Sequence, residues 1–115
     1  MSDIEIWHNP RCSKSRQTLA ILKDQGIEPT IRLYLKDSPT EDELRDVLKA
    51  LGLKARDILR TGEPECLEAG VDKIQDEDML VAAMVQFPKL IERPIVRAGD
   101  KAVLGRPPEN VLDLI

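Results

Sequence analysis

The sequence predicts an α/β layered domain built on a four-stranded mixed sheet flanked by helices. Three observations carry that prediction. A short apolar strand, Ile4-Glu5-Ile6-Trp7, runs straight into a helical pattern; a second strand follows that helix; and a turn containing Gly99-Asp100 joins two further strands near the C terminus. A strand, helix, strand unit implies parallel pairing with a right-handed crossover, whereas a hairpin is antiparallel, so the sheet must be mixed. The stretch between the second and third strands, about residues 40–88, reads as a helical insertion. The 115 residues are expected to form one domain, large enough for a core without disulfide staples.

Each element has its own warrant. Ile4 to Trp7 leads into the turn signals Asn9-Pro10 and is expected to lie centrally in the sheet. From Ser13 to Gln25 the apolar residues Leu19, Ile21 and Leu22 fall at helical spacing, and Gly26 is placed to end the helix. Thr30 to Leu35 alternates polar and apolar side chains, as in a strand exposed on one face. Thr40 is placed as an N-cap with Glu43 as its capping-box partner; Leu44, Val47, Leu48 and Leu51 form the buried face, and Gly52 stops the helix. Short helices over 55–59 and 65–69 flank the turn-rich Arg60-Thr61-Gly62-Glu63-Pro64. Asp76 caps a helix running to Phe87, with Met79, Leu80, Ala83, Met84 and Phe87 as its core side. Pro94 to Arg97 and Ala102 to Leu104 form the hairpin, and a last helix begins at Pro108 or Glu109 and runs to Leu114.

Composition narrows the function. With 17 basic against 21 acidic residues, a net charge of -4, the chain lacks the basic face that nucleic acid requires. No apolar run reaches membrane-spanning length and the N terminus has no secretory pattern, so the expectation is a soluble, cytoplasmic protein. Two cysteines without metal or disulfide spacing fit a reducing compartment, and a single histidine argues against a zinc site. The absence of a long apolar edge points to a monomer.

The chemistry concentrates in His8-Asn9-Pro10-Arg11-Cys12-Ser13-Lys14-Ser15-Arg16, at the junction of the first strand and first helix. A cysteine there meets unpaired N–H groups and the positive end of the helix dipole, which favour thiolate over thiol. His8, Arg11, Lys14 and Arg16 add charge, and the hydroxyls of Ser13 and Ser15 are potential donors to a thiolate or an oxyanion. The bland alternative is an inert half-buried cysteine, the commoner fate of the residue. For each arginine elsewhere the ordinary reading is a solvated surface charge.

The segments His8-Asn9-Pro10-Arg11-Cys12, Ser15-Arg16, Leu33-Tyr34-Leu35, Arg60, Glu92-Arg93-Pro94-Ile95-Val96 and Gly105-Arg106-Pro107 together resemble the glutaredoxin-linked arsenate reductases, in order and over nearly the whole chain. The resemblance implies a thioredoxin-like fold with the helical insertion between strands 2 and 3. It also implies a thiolate at Cys12 that attacks arsenic; Ser15 would help to hold that thiolate, and His8 would either help to hold it or merely cap the turn. Arg60, Arg93 and Arg106 would gather the oxyanion around that sulfur, and Pro94 would be cis and face the cysteine. Guanidinium groups suit this task because their forked donors match a tetrahedral oxyanion and offset its repulsion of the thiolate. The implied co-substrate is glutathione and the implied partner glutaredoxin, with no bound cofactor. Ser13 and Lys14 stand where resistance-type members carry glycine and threonine.

Two other classes compete. A glutathione-dependent thiol-disulfide reductase of the same fold would use Cys12-x-x-Ser15 as a monothiol centre. A Spx-like regulator would bind RNA polymerase without catalysis and use its cysteine only as an oxidation sensor; the arginine trio and His8 argue against it. A phosphatase-type arsenate reductase would need an arginine where Thr18 stands. Cys66, flanked by carboxylates, is expected to be a poor nucleophile, and position 15 lacks a resolving cysteine, so the second thiol is expected from outside.

Overall fold

The computed structural model describes residues 3–115, which form two compact units: the chain up to Asp37 together with Arg93–Ile115, and Ser38–Glu92. The first unit holds the sheet. Its strands are β1 (Ile4–Trp7), β2 (Thr30–Arg32), β3 (Ile95–Ala98) and β4 (Lys101–Leu104), in the order β2-β1-β3-β4. β1 is central, parallel to β2 and antiparallel to β3, and the β3–β4 hairpin turns through Gly99-Asp100 with Gly99 at φ +64°. This is the thioredoxin-like arrangement.

Strand alternation sorts the side chains. Ile6 and Val96 are cross-strand partners on one face and pack with Leu22 of helix α1 (Ser13–Asp24) and Val111 of the 3-10 helix Pro108–Asp113. All four are fully buried, each contributing about 1.5–3 kcal/mol. That packing fixes α1 against β1, and with it the residue that precedes α1, Cys12. The helix then stops in a Schellman motif, in which Ile27 N–H donates to Leu22 and Gly26 N–H to Lys23, with Gly26 at φ +78°. On the other face Trp7 and Ile95 are cross-strand partners and both buried. Trp7 stacks on the buried ring of Tyr34, centroids 6.3 Å apart and planes 23° from parallel, and the Arg32 guanidinium sits 5.5 Å over the Trp7 ring.

The strand expected over 30–35 ends at Arg32. β1 itself ends at Trp7, opposite Arg32, and the last ladder bond runs from His8 N–H to the Arg32 carbonyl. Residues 33–35 therefore have no strand to pair with, and the Leu33 carbonyl accepts from Lys36 and Asp37 N–H in a turn instead.

In the second unit, helix α2 (Glu41–Leu51) has the complete Thr40–Glu43 capping box and ends at Gly52 in the left-handed region. Helix α3 (Pro64–Glu68) is short, and α4 (Glu77–Gln86) is capped by Asp76 and packs on α2. The buried stripe of α4 runs through Leu80, Val81 and Met84. Met79, expected in the core, is 61% exposed; at about 100° per residue it lies far round the helix from the centre of that stripe. Segments 55–58, 71–73 and 88–90 are 3-10 turns, as is the C-terminal helix, which was expected to be α-helical. An isolated antiparallel bridge, Leu59 to Ile91, ties the middle of this unit to its end, flanked by bonds from Arg60 N–H to Leu90 and from Glu92 N–H to Ile58. Among the described residues no helix is long and apolar enough to cross a membrane.

One glycine is required by space. Gly105 is buried just after β4, where its amide donates to the Pro94 carbonyl; a Cβ there would lie 2.7 Å from Pro94 Cγ and closer still to the Thr18 hydroxyl. Both neighbours are side-chain atoms of buried residues, a proline ring and a short branched side chain with little room to give way. Gly105→Ala should therefore destabilise the fold by about 1–3 kcal/mol, the usual cost of overpacking, read as a lowered midpoint in urea unfolding.

Candidate active site

The loop after β1 is shaped by Asn9. Its side-chain oxygen accepts from Arg11 N–H at 3.0 Å and its carbonyl accepts from Cys12 N–H at 3.0 Å, so the chain turns back on itself within four residues. Cys12 is thereby delivered to the N-cap of α1 in an extended conformation. There the amides of the first helical turn lack partners of their own, and the cysteine side chain is the group nearest to supply one. Arg16 reaches back to the Pro10 carbonyl at 2.8 Å and closes the loop from outside. The buried Ser15 hydroxyl accepts from Asn9 N–H at 3.1 Å and bonds His8 Nδ1 at 2.6 Å.

Cys12 is half-buried, and burial alone would push its thiol up. Four stabilising contacts outweigh that: the Ser15 amide, the Arg93 guanidinium, the Lys14 amide and the charge of Arg106. The net effect holds Cys12 below the ordinary thiol value, which shifts it toward thiolate. Arg106 donates from Nη2 to the sulfur at 3.5 Å while its Nε donates to the Arg93 carbonyl at 2.7 Å. The Arg93–Pro94 peptide is cis and Pro94 is buried.

The structure thus brings Cys12, Arg93 and Arg106 together, and places Ser15 against the sulfur through its backbone N–H, its hydroxyl being engaged elsewhere. His8 is buried, and burial, followed by the charges of Arg16 and Lys23, holds it below its ordinary value; near neutral pH it is an uncharged partner of Ser15. Arg60 belongs to the second unit, where its Nη1 bonds Glu92 at 2.7 Å and its Nε lies 3.4 Å from Glu63.

A family model described as the ArsC family matches residues 7–114. The chain belongs to the ArsC family. An uncharacterized protein of Escherichia coli K12, YfgD, is 49% identical over 97% of this chain and 96% of its own. An arsenate reductase of Haemophilus influenzae is 44% identical over 96% of this chain and 97% of its own. The solved structure of an arsenate reductase from Vibrio cholerae is 46% identical, covers 97% of each chain and superposes with a TM-score of 0.94.

In this ArsC chain one residue of the site escaped the reading of the sequence. Tyr34 is fully buried and hydrogen-bonds the Arg93 guanidinium. Burial weakens the charge on Arg93, but the Tyr34 and Cys12 contacts more than restore it. The signal was present as a lone tyrosine in an apolar run, yet an alternating pattern assigns it only to a strand face. Cys66 is fully buried in the second unit, and burial, with the Asp72 carboxylate behind it, pushes its thiol up. Among the described residues no group of three or more metal-ligating side chains occurs.

Two measurements follow from this geometry. Tyr34→Phe should move the midpoint of Cys12 alkylation against pH upward, because it loosens the guanidinium that stabilises the thiolate; Arg93→Gln should move it further. An unmoved midpoint in both variants would deny Arg93 its role. For His8, the folded state disfavours the proton that the unfolded chain accepts at about 6.5. Stability should thus be fully present above that pH and fall as pH drops through the window below it, and His8→Gln should flatten the slope between pH 5 and 7 in urea unfolding.

Proposed function

We propose that this chain reduces arsenate to arsenite through Cys12, in the cytoplasm and as a monomer, with glutathione as co-substrate, glutaredoxin as partner and no bound cofactor. The observation that carries the reading is a cysteine held toward thiolate with two guanidinium groups at its sulfur. A lone anion-binding site would not need the thiolate, and a simple thiol reductase would not need two arginines beside it. The names of the arsenate reductases among its relatives support the same substrate.

In this reading Arg93 and Arg106 hold the oxyanion, and Arg60 is a third ligand on the strength of the resemblance. The Cys12 thiolate attacks As(V), an arsenic oxygen leaves as water after taking up protons, and an S–As bond forms. A glutathione thiolate then attacks the Cys12 sulfur. The S–As bond breaks with its electron pair moving to arsenic, which departs as As(III), and a Cys12–glutathione disulfide remains. Glutaredoxin exchanges with that disulfide and regenerates the Cys12 thiolate. The buried, poorly ionised Cys66 is a bystander.

Arsenite production is to be followed with glutathione and glutaredoxin supplied together and separately. Cys12→Ser should abolish turnover and Cys66→Ala should retain it, and mass spectrometry of the trapped intermediate should find glutathione on Cys12. Arg106→Ala should slow turnover about ten- to a hundredfold, the worth of one charge-assisted donor. Reduction of glutathione mixed disulfides without consumption of arsenate would reassign the chain as a thiol-disulfide reductase.

A further inference from the structure

A hollow of about 350 Å3 opens on the first unit, walled by His8, Asn9, Pro10 and Arg11 on one side and by Leu33, Leu35 and Lys36 on the other. It shares no residue with the cluster of Cys12, Arg93 and Arg106, yet Arg11 directly precedes the cysteine. Both walls are held in place. The Asn9 turn fixes Pro10 and Arg11, and the turn that begins at Leu33 is pinned by the buried ring of Tyr34 on Trp7. Such a volume is at the small-molecule end of ligand sites.

The lining has a definite character. Leu33 and Leu35 expose 37% and 38% of their surface and give an apolar wall, which offers nothing to a compact tetrahedral oxyanion. Arg11 and Lys36 are exposed, and among the described residues no carboxylate pairs with either. The adjacent Asp37 carboxylate is 3.5 Å from Arg32 instead. In a chain whose net charge is -4, two cations left without counter-charges around an apolar hollow suit a ligand that is anionic at its ends and carries methylene groups between them.

We propose that this hollow docks the thiol co-substrate, a small thiol with carboxylates at its ends, the class to which glutathione belongs. Arg11 and Lys36 take its carboxylates, and Leu33 and Leu35 cover its aliphatic portion. The inference rests on the reading that an external thiol resolves the Cys12 adduct. It adds where that thiol is held while its sulfur attacks Cys12, the S–S bond forms and the electron pair of the S–As bond passes to arsenic.

The test needs no arsenate. Cys12 thiolate reacts with a small disulfide to give a mixed disulfide and one released thiol, and the rate is read by mass spectrometry at low salt. Two probes are compared, glutathione disulfide, which carries carboxylates, and cystamine, which carries only amines. Lys36→Glu and, separately, Arg11→Glu should slow the reaction with glutathione disulfide about fivefold, the upper worth of an exposed charge contact, and leave that with cystamine unslowed. Equal slowing with both probes, or no slowing with glutathione disulfide in either variant, overturns the proposal. If the selective slowing is found but wild-type protein never yields arsenite, the docking site stands and the arsenate reading falls. If arsenite is produced and the glutathione KM is unchanged in both variants, the docking site falls and the arsenate reading stands.

Discussion

A sulfur anion that has lost part of its water persists only where donors and cations more than replace it, and the first unit is organised to supply them at Cys12. Burial raises the thiol; the amides of Ser15 and Lys14 and the guanidinium groups of Arg93 and Arg106 bring it down past its ordinary value. Each of these depends on a different part of the chain. The amides exist as free donors because α1 begins immediately after Cys12, and the arginines arrive from either side of the β3–β4 hairpin.

What makes the arrangement rigid is ordinary packing. Leu22 on Ile6, Val96 and Val111 holds α1 to the sheet, and at the other end of the helix Ser15 bonds His8 and Asn9 of the loop after β1. Gly105 lets Pro94 and Thr18 close up behind the site, and the Thr18 hydroxyl donates to the Lys14 carbonyl at 2.8 Å, tying the first turn of α1 to that wall. Tyr34 has an apolar body stacked on Trp7 and a polar tip on Arg93, the usual division of labour for a buried tyrosine. Through it the aromatic face of the sheet orients the guanidinium beside Cys12.

Charge is distributed with similar economy. The chain is acidic as a whole, yet the segment from His8 to Arg16 contains no acidic residue. The field near Cys12 is therefore opposite in sign to the net charge, which favours capture of small anions over binding to extended polyanions. Cys66 shows the contrary treatment: full burial and a neighbouring carboxylate keep it protonated. The surroundings of the two thiols shift their ionisation in opposite directions, Cys12 toward thiolate and Cys66 away from it.

The sequence by itself determined the element order, the two long helix caps, the two-residue hairpin turn and the place of Cys12 at a helix start. All of these are local: Thr40 with Glu43, Asp76 with Met79, and Asn9-Pro10 before Cys12 interact across a few residues, so their spacing suffices. Tertiary structure decided the rest. Strand β2 stops at Arg32 because β1 runs out at Trp7, which no pattern within 30–35 announces. The helical period marked α4 as amphipathic, but only its packing chose Val81 over Met79 for the interior. Arg60 pairs with Glu92, 32 residues on, because the Leu59–Ile91 bridge sets their backbones side by side. Arg106 reaches Cys12 across 94 residues of sequence, and Tyr34 reaches Arg93 across a turn that replaced a strand. Hydrogen bonds and ion pairs reach only a few ångströms, so which distant residues meet depends on sheet register and packing, and these exist only once the chain has folded.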